Sequence, residues 1–170
     1  MQQQPDTAVT KWVVILAWIA GFGLVTFVFA ELLESQFNPN RSPSSSMIGN
    51  RVEVVLEQNR QGHYVASGTI NNVPVVFLID TGATDVAIPA HMGEILGLTP
   101  GRQAYAQTAN GIVTVAETMI DEISLGGITM KNVAANLNPG MREQKILLGM
   151  SFLRQVEFSQ KDKTLILRTL

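Results

Sequence analysis

The apolar run Val75-Val76-Phe77-Leu78-Ile79 ends on Asp80, and Thr81, Gly82 and Ala83 follow it. This order puts a carboxylate at the end of a strand, a hydroxyl beside it and a glycine where the chain has to turn. Uninterrupted Val, Phe, Leu and Ile predict a strand buried on both faces, which would hold Asp80 on a rigid element with little water around it. Gly82 allows a sharp turn that a side chain would obstruct, and it leaves backbone N–H groups free to point at a carboxylate. The Thr81 hydroxyl can brace the loop. Such a carboxylate is suited to proton transfer, but adding water to an amide needs two such groups. One must deprotonate the water, and another must protonate the carbonyl oxygen or the leaving amine. Two aspartates in contact do both, because like charges that close cannot both ionise and come to share one proton.

The chain has five aspartates, Asp6, Asp80, Asp85, Asp121 and Asp162, and Asp80 alone sits before a Thr-Gly pair. A second carboxylate of the same kind must therefore come from a second copy of the chain across a two-fold axis, so the chemistry predicts a homodimer. Asp85 lies just past the loop, where Asx turns and solvent exposure are the default. Asp121-Glu122 precedes Ile123-Ser124-Leu125 and reads as solvent-facing. His63 and His91 are far apart, and the chain has no cysteine, so no metal site and no cofactor are expected.

The elements around Asp80 read as β. Strands are expected over 52–56, 64–70, 73–79, 86–89, 120–125, 128–137, 156–158 and 164–167, with turns at Asn71-Asn72 and Gly126-Gly127. A short helix fits 90–96, opened by Pro89 and stopped by Gly97. Asn110-Gly111 between 102–109 and 112–119 is a strong hairpin signal. Tyr105 on its first arm suits either substrate contact or a half-buried strand position. Many short strands with Gly and Asn turns predict an all-β closed barrel.

Phe77-Leu78-Ile79-Asp80-Thr81-Gly82-Ala83-Thr84, Val86-Ala87-Ile88-Pro89 and Ile146-Leu147-Leu148-Gly149-Met150 together resemble the retropepsin-like aspartic peptidases. The likeness covers about 51–170 and is nearest the bacterial, membrane-anchored, single-domain type. It implies an acid protease half-domain whose catalytic residue is Asp80, with Thr81 locking two loops together and Gly82 and Ala83 bordering the substrate cleft. It further implies that Ile146, Leu147, Leu148 and Gly149 pack beside the loop, with a short helix at 151–154. Thr108, Ala109, Asn110 and Gly111, with Tyr105, would form a flap over an extended peptide or protein substrate. The implied activity is an aspartic-type endopeptidase, a hydrolase, with a bell-shaped pH profile on the acidic side. The alternative is a membrane-tethered peptide-binding module with the same fold that does not cleave; a precursor that frees itself near its tether is compatible with the first reading.

Charged residues make up 15% of the chain, below the roughly 25% of soluble domains. Residues 12–30 carry none, and at about 1.5 Å per residue such a helix spans close to the 30 Å of a bilayer core. The expected organisation is a cytoplasmic tail (1–11), a transmembrane helix (12–30), a flexible Ser/Asn/Pro-rich linker (31–50) and the barrel domain (51–170). A cleaved signal peptide ending at Val28-Phe29-Ala30 and a buried core helix are the competing readings of the apolar segment. Lys11 and the α-amine on one side, against Glu31 and Glu34 on the other, place the domain in the periplasm of a bacterial inner membrane, although Arg41 and Arg51 weaken that bias. A net charge of −2 without a basic cluster argues against nucleic acid as a partner.

Overall fold

A computed structural model of the chain describes residues 7–108 and 111–170. The chain divides into two units, one ending at Gln36 and one spanning Phe37–Leu170. The first holds all but the last residue of the helix α1 (Thr7–Phe37), whose large apolar side chains from Trp12 to Leu33 are exposed. The segment Lys11–Phe37 is long and apolar enough to cross a membrane.

The described residues of the second unit form eleven strands. β1 (Ser44–Ile48), β2 (Arg51–Glu57), β11 (Thr164–Thr169) and β10 (Val156–Lys161) form a four-stranded antiparallel sheet in that order. The others are β3 (Val65–Ile70), β4 (Val73–Ile79), β5 (Val86–Pro89), β6 (Gln103–Thr108), β7 (Gly111–Leu125), β8 (Ile128–Asn138) and β9 (Lys145–Leu148). They run β3-β4-β9-β5-β8-β7-β6, and β3 also pairs with β7, so six strands close a ring and β6 extends from it as one arm of a hairpin. Phe77, Ile88, Ile120, Ile123, Leu125, Ile146, Leu148 and Phe152 fill the core and are fully buried. The last of these comes from the single-turn helix α2 (Met150–Leu153).

Several expectations need correction. The flexible linker over 31–50 is not formed: α1 runs through to Phe37, and Asn38 and Asn40 are buried at 5% exposure each. Asn40 accepts the Glu57 N–H at 2.7 Å and donates to the Glu57 and Val65 carbonyls at 2.9 and 2.7 Å, while its own N–H donates to Asn38 Oδ1. Side-chain amides here do what a backbone neighbour would do, so a polar composition does not mean a solvated chain. The serines of β1 pair with β2 through backbone groups that no side-chain pattern reveals. The helix expected at 90–96 is a 3₁₀ turn at Ala90–Met92 followed by turns to Gly97, whose φ of +68° suits glycine. The two strands expected on either side of Met119 are one, β7, which serves the hairpin at one end and the barrel at the other. Finally, β4 is not buried on both faces: Val75 and Phe77 enter the core, whereas Val76 and Leu78 are half-buried on the barrel's outer side.

Candidate active site

Asp80 follows β4 directly, and its position is set by β9, which pairs with β4 in parallel from Val76↔Lys145 to Ile79↔Leu148. The Asp80 N–H donates to the Leu148 carbonyl at 3.1 Å, and the chain then turns so that the Gly82 N–H donates to Asp80 Oδ1 at 2.8 Å. The residue is thus fixed at its backbone by β9 and at its carboxylate by the Gly82 N–H. Thr81 and Gly82 are exposed and Asp80 is half-exposed, so the loop presents its acid to the outside of the barrel.

The turn is held in place from behind. Met150 N–H donates to the Ala83 carbonyl at 2.8 Å and Ser151 N–H to the Thr84 carbonyl at 2.9 Å. Ser151 Oγ accepts from Val86 N–H at 3.0 Å and donates to the Ala134 carbonyl at 2.7 Å. Gly149 lies so close that a Cβ there would collide with the Asp85 and Ala83 carbonyl oxygens. The tertiary structure therefore brings Leu148 and Gly149 against the Asp80 loop, while Ile146 and Leu147 lie beside Phe77 and Leu78 of the strand leading into it. Asp85, just beyond it, has its carboxyl pushed above the ordinary 3.8, first by burial and then by Glu117, with Arg154 opposing.

The hairpin pairs Gln103↔Ala116 through Thr108↔Gly111, with Thr108 Oγ1 donating to the Gly111 carbonyl at 2.8 Å. Ala109 and Asn110 lie outside the described residues. Tyr105 is 82% exposed, which corrects the half-buried alternative. Arg102 grips Glu117 with two bonds of 3.0 and 2.9 Å at the hairpin's base.

A cleft of about 320 Å³ opens beside Asp80, walled by Tyr64, Ile79, Thr81, Phe158 and Gln160 among others. Its described lining includes no residue of the β6–β7 hairpin. The Tyr64 hydroxyl is buried without a hydrogen-bond partner among the described residues, and burial raises its pKa. Phe158 and Gln160, about eighty residues from Asp80 in the chain, gave no sign in the sequence of bordering it, because their hairpin is carried there by the pairing of β11 with the distant β2. His63 lines the same cleft. No group of three or more His, Cys, Asp or Glu among the described residues is arranged to hold a metal.

Comparison with known proteins agrees with this geometry. The model of the family described as "gag-polyprotein putative aspartyl protease" matches residues 66–155. An uncharacterised Sinorhizobium protein is 33% identical over 78% of this chain, and an uncharacterised Rickettsia prowazekii protein is 29% identical over 68%. The chain spans 58% and 50% of those two proteins, respectively. Among solved structures, a retropepsin-like aspartic protease from Rickettsia conorii superposes with a TM-score of 0.60 and 28% identity, covering 74% of this chain and 94% of that one.

Proposed function

Since the chain belongs to the retropepsin-like aspartic peptidase family, with that fold, we propose that it is an aspartic endopeptidase which hydrolyses peptide bonds as a homodimer. The observation that carries the reading is Asp80, whose backbone N–H is tied to the Leu148 carbonyl and whose carboxylate accepts from the Gly82 N–H, yet which is open to the outside. One such group per chain is half of a catalytic pair. In the dimer, two Asp80 side chains share one proton and hold a water between them; the ionised member takes a proton from the water as the protonated member gives one to the substrate carbonyl oxygen. Thr81 steadies the two loops against each other, and Gly82 and Ala83 offer backbone to an extended substrate. The β6–β7 hairpin is the flap, closing over the peptide to exclude water and pair with its backbone, so that alternate side chains set specificity. The protein is anchored in a bacterial inner membrane by residues 12–30, with the domain on the periplasmic side.

The test is cleavage of an unfolded protein by the full chain and by its Asp80→Asn variant, from acidic to neutral pH. The variant is expected to lose at least about 10²-fold in rate while keeping its fold. Equal rates would sink the mechanism. No cleavage by a wild-type chain shown to be dimeric would leave the non-cleaving peptide-binding module as the better reading.

A further inference from the structure

We propose that the substrates of this chain are proteins tethered to the same membrane, and that it cuts them in an extended stem close to the bilayer surface. The proposal rests on the peptidase and anchor readings above and adds the substrate class to them. It is carried by Phe37, the last residue of α1 and the first of the second unit, because a wall of the Asp80 cleft is tied to it. Asn59, only 7% exposed, is the joint. Its Nδ2 donates to the Phe37 carbonyl at 3.0 Å, and its Oδ1 accepts from the Gln61 and His63 N–H groups, each at 2.9 Å. The Asn59 N–H in turn donates to the His63 carbonyl at 2.8 Å. Gly62 and His63, closed into this turn, line the cleft beside Asp80. The residues after Phe37 are held as closely: Asn38 Nδ2 donates to Ser67 Oγ and the Ser67 N–H to the Asn40 carbonyl, both at 3.0 Å. Lys145 Nζ lies 4.3 Å from the centre of the Phe37 ring.

These contacts limit how far the acid stands from the membrane. From Ala30, where the uncharged segment ends, α1 rises about 10 Å to Phe37. From Lys145 to Leu148, whose carbonyl holds the Asp80 N–H, β9 adds about 10 Å. With the Phe37 and Lys145 side chains bridging the two spans, Asp80 lies no more than roughly 40 Å from the end of the uncharged segment. A flexible tether would have let the cleft sweep over a range of heights, but the chain from Phe37 to Asn40 is bonded into the barrel. A peptide bond held farther out on a rigid domain is out of reach. The stem that joins a membrane-anchored protein to its own folded part is within reach, and it supplies the extended backbone that pairing in the cleft requires. Confining both chains to one surface also raises the effective concentration of that stem at the cleft, a gain that a freely diffusing protein does not share.

The test places the full chain in phosphatidylcholine vesicles containing a nickel-chelating lipid, with a histidine-tagged segment of unfolded β-casein as the probe. In one probe the segment follows the tag directly; in the other it stands behind a helical coiled-coil rod of about 60 residues, close to 90 Å long. The near probe should be cleaved at least about tenfold faster than the rod-borne one. A Gly/Ser insertion of about 80 residues between Gln36 and Phe37, with a mean reach of about 50 Å, should bring the two rates together. Cleavage of free casein in imidazole serves as the reference, and the insertion should leave it unchanged. Equal rates on both probes, from an intact chain that floats with the vesicles and cuts free casein, would overturn the inference and leave the peptidase reading intact. A chain that cuts free casein but does not float with the vesicles would remove the anchor and the inference with it. No cleavage of any probe or of free casein would remove the peptidase itself.

Discussion

The proton chemistry proposed for Asp80 needs a loop whose backbone is firmly held, and Gly149 is the residue that lets it be held. With no Cβ it lets β9 approach the Ala83 and Asp85 carbonyls, and the next two N–H groups then bind the loop. Asp85 is the cost of that packing. Its carboxyl is raised by burial and by Glu117, so the folded chain holds a proton there more tightly than the unfolded chain does. Stability from this group therefore falls as pH rises through the ordinary 3.8 and stays reduced above the folded value. Asp85→Asn removes the titration. We expect its melting temperature to exceed the wild type's at pH 7 and to match it near pH 3; a difference that is the same at both pH values would contradict this account.

At the scale of elements, the segment between α1 and β2 is the most informative. Ser, Asn and Pro read as a solvated tether because these residues favour turns and carry no apolar pattern. In the fold, Asn40 stitches β2 to β3 with three side-chain bonds and β1 extends the four-stranded sheet. Removing Asn40's amide in Asn40→Ala strands buried backbone groups at Glu57 and Val65, and should destabilise the domain by about 2–3 kcal/mol at roughly 1 kcal/mol per bond. Urea denaturation measures this, and a loss below about 0.5 kcal/mol would mean the segment adds nothing. The hairpin teaches the opposite lesson. Asn110-Gly111 announced it from local turn chemistry alone, and the Gln103↔Ala116 to Thr108↔Gly111 register follows.

For the whole molecule the question is how one carboxylate per chain becomes a pair. If catalysis needs Asp80 from two copies, an Asp80→Asn chain is not merely inactive but inhibitory. With a ninefold excess of the variant and free exchange of partners, about one wild-type chain in ten still meets another wild-type chain, so cleavage per wild-type chain should fall about tenfold. Cleavage that stays proportional to wild-type chains would show that each copy acts alone. Exchange is best measured in detergent, since α1 exposes a continuous apolar surface from Trp12 onward.

What the amino-acid order determined by itself was everything carried by near neighbours. It placed β4 and β5 to the residue, the glycine turn after Asp80, the Asn-Gly hairpin and the apolar span of α1, because strand propensity, turn chemistry and hydropathy act over a few positions. The tertiary structure alone decided which distant residues meet. That β9 lies beside β4, that Gly149 must be bare against Asp85, that Asn40 is buried and that Phe158 borders the Asp80 cleft are outcomes of strand pairing across roughly 20 to 80 residues. Pairing at that range is settled by closing the barrel and burying its core, a balance that belongs to the whole chain and is written at no single position.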